Sequence, residues 1–219
     1  MGSAGSGRSE SGVQILNFNG TTWSTVTAPS PGIEPSLMSV TAVSPTDAWA
    51  VGVDPNSTTN EALIENWNGT SWSVVPSPSV NGVADILFGV AAVSANNVWA
   101  VGRFGETNAN VLQTLTENWN GTSWSVVPSP NVTGGGSDLL DGVTANPSTG
   151  DVVAVGAATL ANGQANSLIL ANNEPAGSTP GATTPTPTPT PPPGTGTTDV
   201  IGTFADLAPN NGKAKHKSA

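Results

Sequence analysis

Residues Val40–Gly52 read VTAVSPTDAWAVG, and Val90–Gly102 read VAAVSANNVWAVG, a shift of 50. A second pair of motifs follows the first in the same order. NWNGTSWSVVPSPSV from Asn66 returns as NWNGTSWSVVPSPNV from Asn118, a shift of 52, so two residues are inserted in the loop between the motifs. A weaker third copy, GVTANPSTGDVVAVG from Gly142 to Gly156, has Val153 where the others have Trp. Upstream, LNFNGTTWSTV from Leu16 to Val26 matches only the second half of the unit. Copies this alike, with a period near 50 residues, indicate one supersecondary unit used repeatedly and packed against itself.

Each unit divides into four short strands. In the clearest copy, strand A spans Phe88–Ser94 and a polar turn, Ala95-Asn96-Asn97, leads to strand B, Val98–Phe104. Strand C is Leu112–Trp119. Asn120-Gly121, like Asn68-Gly69 in the preceding copy, is the pair favoured in a tight type I′ hairpin, and strand D, Thr122–Val127, follows it. Pro128-Ser129-Pro130 stops strand D, because proline has no N–H to give to a ladder. On the same reading, the chain starts with C and D alone (Val13–Asn19, Thr21–Thr27). It ends with A, B and C (Val143–Asn146, Val152–Gly156, Ser167–Asn172), for a total close to three units.

A strand ending in S-x-x-D/N-x-W-A-V-G, followed some twenty residues on by W-N-G-T-S-W, resembles the blades of bacterial β-propeller repeat proteins. These are the sialidase-repeat, photosystem-assembly-factor-like and kelch-like types. The resemblance covers roughly Val13 to Pro175 and implies an all-β fold of tandem four-stranded antiparallel units, β-propeller-like. A three-fold β-prism or a β-trefoil is the alternative for three such units. The hairpin departs from the aspartate box S-x-D-x-G-x-T-W of sialidase repeats, since N-W-N-G-T-S-W lacks the aspartate. Three blades fall short of the usual 4–8 of a closed propeller, so the expected state is a homo-oligomer or part of a longer propeller. The C and D strands at one end and the third copy at the other would then be complementary parts of one blade.

Composition excludes several classes of function. The chain carries a formal charge of −10, and between Ser11 and Ala176 twelve acidic residues face one basic residue, Arg103. Phosphate neutralisation supplies most nucleic-acid affinity, so no nucleic-acid partner is expected. No stretch approaches the ~20 apolar residues of a membrane span, so no membrane insertion is expected either. There is no Cys, and the single His is His216 in the tail KAKHK. Neither a Ser-His-Asp set nor a three-ligand zinc site made of His and Cys can therefore be assembled from the repeat region.

Seven Trp residues against four Phe and no Tyr stand at repeating positions. Packed between blades, each would bury roughly 150–250 Å² and contribute up to about 4–6 kcal/mol. The alternative is stacking on sugar rings, for which the hairpin residues Trp67, Trp72, Trp119 and Trp124 are the ligand-binding candidates. Glu65 and Glu117 occupy equivalent positions. A general acid and a nucleophile need unlike surroundings to separate their pKa values, so repeat-related carboxylates read as structural. Asp47 gives way to Asn97 in the next copy, which points to turn or cap chemistry. Asp54, Asn56, Asn60 and Glu61 crowd one loop without a calcium-loop spacing. Asn19, Asn68 and Asn120 match an acceptor sequon, but the hairpin accounts for all three. No catalytic residues, metal or cofactor are expected.

Four regions result: a flexible linker over 1–12, the repeat domain over 13–175, a Thr/Pro-rich disordered stalk over 176–198, and a short C-terminal segment over 199–219 that could begin another domain. Residues 1–12 carry no apolar run of a signal peptide, while the low-complexity stalk favours an extracellular or cell-surface setting. The expected function is a secreted or surface binding module for a glycan or protein ligand. The alternative is a structural element that self-assembles through incomplete terminal blades.

Overall fold

The structure, a computed structural model, describes residues 14–18, 20–29, 35–55, 60–80, 84–105, 111–132, 136–160 and 162–172, with the backbone of 200–203. The linker over 1–12, the stalk over 176–198, the remainder of 199–219, Asn19 and Asn56 lie outside the described residues. Every regular element among the described residues is a β-strand, as the turn-punctuated sequence requires.

The strands are β1 (Gln14–Phe18), β2 (Trp23–Thr27), β3 (Ser36–Ser44), β4 (Asp47–Pro55), β5 (Asn60–Trp67), β6 (Trp72–Val74), β7 (Ile86–Ser94), β8 (Asn97–Gly105), β9 (Leu112–Trp119), β10 (Trp124–Val126), β11 (Asp138–Ala145), β12 (Val152–Thr159), β13 (Ala165–Ala171) and β14 (Val200–Thr203). They form the pair β1-β2 and three four-stranded sheets: sheet I, β3-β4-β5-β6; sheet II, β7-β8-β9-β10; and sheet III, β11-β12-β13-β14. Sheets I and II are antiparallel meanders, one per sequence repeat. The last strand of each, β6 or β10, has only three residues, and Pro76 or Pro128 follows close behind, whereas the opposite edge, β3 or β7, has nine.

Sheet III departs from this plan at its outer edge. Its third strand is β13, and the fourth place is held by β14, which pairs in parallel with β13 in the register Leu168↔Val200 to Ala171↔Thr203. Among the described residues the N-terminal strands pair with each other alone, in the register Gln14↔Thr27 to Phe18↔Trp23. Within this chain the two ends are therefore not paired with each other. Strand C of the third unit is already present in the chain, which leaves only a D position, and β14 occupies it.

The glycine of the W-A-V-G motif is set by a bulge. In each sheet the register between the first two strands shifts at the same point: Leu37/Ser39, Leu87/Gly89 and Leu140/Gly142. The bulge turns a carbonyl of the first strand onto the second. A Cβ at Gly52, Gly102 or Gly156 would meet Ser36 O at 1.9 Å, Ile86 O at 1.9 Å or Leu139 O at 2.0 Å. Glycine is obligatory there in all three copies, including the third, where the Trp has gone.

The Asn-Gly hairpins are wider than the two-residue type I′ turn. Trp67 pairs with Trp72 and Trp119 with Trp124, so each loop holds four residues. Only Gly69 and Gly121 take positive φ, +93° and +95°, whereas a type I′ turn needs the Asn there too. The Asn instead caps the loop with its side chain. Asn68 Oδ1 accepts from the N–H groups of Thr70 and Ser71 at 2.9 and 3.0 Å, and Asn120 Oδ1 does the same for Thr122 and Ser123.

The core is divided between the sheets. One cluster joins Trp49, Val51 and Ile64 of sheet I to Leu87, Val90, Val98, Ala100, Leu115 and Trp124 of sheet II. A second joins Val101 of sheet II to Leu140, Val152, Ala154, Leu168 and Leu170 of sheet III. A prism or trefoil would gather three units around one shared core; two separate clusters belong to sheets stacked face to face in series. Side chains alternate across a strand, so each sheet has a leading face toward its predecessor and a trailing face toward its successor. In β8, Val98 and Ala100 lead while Val101 trails.

Candidate functional site

The two tryptophan ladders have the same sequence but different surroundings. Trp119 and Trp124 lie with ring centroids 6.0 Å apart, and Trp49 of sheet I closes over both, at 4.8 and 5.3 Å. Trp124 is 6% exposed and Trp49 3%. This three-ring cluster lies at the contact between sheets I and II, where Trp124 is buried and Trp119 stays partly exposed. Trp67 and Trp72 repeat the geometry at 5.8 Å and 41° on the leading face of sheet I, both half-buried, and the Trp67 indole N–H donates to Pro45 O at 3.3 Å. The hairpin β1-β2 carries a third pair, Phe18 and Trp23 at 5.1 Å, with Trp23 67% exposed.

Equivalent valines mark where the stack is open. Val40, Val90 and Val143 hold one position in the first strands, and Val51, Val101 and Val155 one position in the second. Val90 is 6% exposed beneath sheet I, whereas Val40 is 66% exposed, with Met38 beside it at 44%. Val51 and Val101 are fully buried, whereas Val155 is 48% exposed. Sheet I is thus open at Val40 on its leading face, where Leu63 and Glu65 are nonetheless buried, and sheet III is open at Val155 on its trailing face. Sequence reading passed over these valines because they are identical between copies and differ only in what lies next to them.

Glu65 and Glu117 are both fully buried on leading faces, and their place in sheet III is taken by Leu170, also fully buried. All three pair with an alanine of the neighbouring strand: Ala50, Ala100 and Ala154. Burial pushes the Glu117 carboxyl up to about 8, with the negative charge of Asp85 adding to it and a hydrogen bond from Ser77 opposing it. Burial alone pushes Glu65 up to about 7, and neither of its carboxyl oxygens has a hydrogen-bond partner. The residue five places after the hairpin Trp explains the difference. It is Ser77 before sheet II but Ala28 before sheet I, so no hydroxyl is delivered to Glu65. Before sheet III it is Ser129, which faces a leucine and turns to Thr114 Oγ1 at 2.7 Å.

Asp47 and Asn97 also have a shared task. Asn66 Nδ2 donates to Asp47 Oδ1 at 3.1 Å, and Asn118 Nδ2 to Asn97 Oδ1 at 2.9 Å. Each amide also donates to a backbone carbonyl, Ala48 O or Val98 O, at 3.2 Å. Either side chain can accept, which is why Asp and Asn exchange between copies.

A cleft of about 260 Å³ lies where sheet I hands over to sheet II, with Asp54, Glu61, Asp85, Ser77 and Ser79 in its lining. Asp54 is raised by burial and then by the charge of Glu61. Asp85 is raised by burial and by Glu61, against a 2.8 Å hydrogen bond from the Val80 N–H. Asp138 repeats Asp85, accepting from the Val132 N–H at 2.5 Å. These aspartates close the connection between successive sheets. Among the described residues no group of three or more His, Asp or Glu side chains is placed to hold a metal ion. Against protein-family models and curated proteins alike, the chain finds no match.

Proposed function

We propose that this chain is a non-catalytic, extracellular or cell-surface binding module that recognises protein through the leading face of sheet I. The contrast between Val40 and Val90 carries the reading: one position in one repeat is a sealed core contact in sheet II and an open apolar surface in sheet I. Val40, Trp67 and Trp72 together make a face of the composition that protein interfaces prefer at their centres. A glycan reading has less support. Sugar stacking wants a flat exposed platform, while the Trp67 and Trp72 planes are tilted 41° to one another and the Trp124 ring is buried against Trp49. The stalk composition over 176–198 supports display away from a surface. A photo-crosslinking residue, benzoylphenylalanine, tests the reading when placed at Val40 or, as a control, at exposed Ser73, with irradiation of the protein in its native setting. A protein adduct from position 40 alone is expected. No adduct from 40, or equal adducts from both, overturns it.

A further inference from the structure

The leading face of sheet I and the trailing face of sheet III stand in the same relation as two surfaces that already meet twice within this chain. Trailing residues Trp49 and Val51 pack on leading residues Val90, Leu115 and Trp124; trailing Val101 packs in one cluster with leading Leu140, Val152, Ala154 and Leu168. At the ends, the trailing positions of Trp49 and Val51 are held by Val153 and Val155, and the leading positions of Val90 and Trp124 by Val40 and Trp72. Both end faces are open at the valine that is buried elsewhere, while Leu63 and Glu65 on the leading face of sheet I are already buried.

The inner strands have the shape this contact needs. A Cβ placed on Gly89 would lie 3.1 Å from Val143 N and 3.2 Å from Gly142 Cα, so first strands of adjacent sheets run nearly in backbone contact. The residue at this position must be small. It is Ser39, Gly89 and Gly142 in the three sheets. The Ser39 hydroxyl accepts from the Val90 N–H at 3.3 Å. At Gly142 a Cβ would meet only Val155 Cγ2, at 3.6 Å, which leaves the trailing side of sheet III free for another first strand.

We infer that a second copy of this chain docks head to tail, with Val153 and Val155 of one copy seated on Val40, Trp67 and Trp72 of the next. The inference rests on the protein-binding reading above and names the partner. Such an interface is heterologous. Repeated once with closure, it gives a two-chain stack of six sheets, and without closure it gives a longer series. The contact continues an interface already formed between sheets I and II and between II and III.

Sedimentation of the full 219-residue chain over a range of concentrations tests this, with Val40→Asp and Val155→Asp as the variants. The expected species has at least twice the chain mass of 21.8 kDa. Each variant alone falls to one chain, and an equimolar mixture recovers a two-chain species, because each variant keeps the face the other has lost. Circular dichroism and a thermal melt check that the variants fold. Should either variant fail to fold, cysteines introduced at Val40 and Val155 of this cysteine-free chain give a second readout. The double variant should form an intermolecular disulfide, and neither single variant should. A parent that is one chain at every concentration overturns the inference, as does a parent whose association survives both substitutions or links position 40 to position 40. A crosslink from Val40 to a different protein, with the purified chain monomeric, overturns self-docking and leaves the protein-binding reading standing. No crosslink at all sinks both.

Discussion

The Ser77 hydroxyl, on the segment leaving sheet I, donates to both carboxyl oxygens of Glu117 in sheet II, at 2.9 and 3.0 Å. It is a polar tie across an otherwise apolar boundary, and it holds a carboxyl that burial has pushed up to about 8.

Stability should fall as pH rises. Glu65 and Glu117 bind protons more tightly in the folded chain than in the unfolded one, about 7 and about 8 against an ordinary 4.5. Their contribution is fully present below the unfolded value and is lost as pH climbs through the folded values. Asp54, Asp85 and Asp138 are raised too and act in the same sense. Urea unfolding at about pH 5 and about pH 9 should show a loss of a few kcal/mol, which Glu117→Gln reduces. A flat or rising profile contradicts the burial argument.

Glu65→Leu should stabilise the chain at neutral pH by about 1–3 kcal/mol, because it removes a buried carboxyl with no partner and installs the residue that sheet III uses at Leu170. Glu117→Leu should gain less, since it leaves the Ser77 hydroxyl without its acceptor. Denaturant midpoints of the two variants, measured side by side, decide the order.

Gly102→Ala should cost more than about 3 kcal/mol, since the new methyl meets the Ile86 carbonyl at 1.9 Å and only backbone movement relieves it. Gly163→Ala makes a useful contrast: nothing lies within 4 Å, and only its φ of +81° resists the change. Its expected cost is about 1 kcal/mol. Equal losses in thermal melts would remove the bulge-and-carbonyl explanation of the motif.

Trp49→Ala should cost about 3–5 kcal/mol and expose Trp119 and Trp124 to acrylamide, because it takes away the ring that closes over both. Trp23→Ala, at a 67% exposed site, should change stability by about 0.5 kcal/mol or less. Fluorescence quenching that is unchanged in Trp49→Ala would show that the ladder is not sealed by its neighbour.

Much of this fold was legible because local signals repeated. Strands end at Pro76 and Pro128, alternation places Val98 and Ala100 opposite Val101, and Asp47 exchanging with Asn97 pointed to structural chemistry. What escaped sequence reading depends on neighbours. Asn68-Gly69 reads as a type I′ turn until the Asn side chain is seen capping the loop, and nothing local announces that Val200–Thr203 adds to β13 in parallel. The candidate Trp residues show the limit most plainly. Trp67-Asn68-Gly69-Thr70-Ser71-Trp72 and its copy at Trp119–Trp124 are letter-identical, and only the presence of Trp49 over the second puts Trp124 in the core while Trp72 stays half-buried.

The brevity of β6 and β10 has a consequence for a chain so rich in β-structure. An edge of three residues, followed almost at once by a proline, offers a passing strand too few free N–H and C=O groups to extend the ladder. On that side a neighbouring copy cannot extend the ladder, which leaves the opposite edges, β3 and β7 with nine residues each, as the ones whose shielding depends on the first strand of the adjacent sheet packed against them.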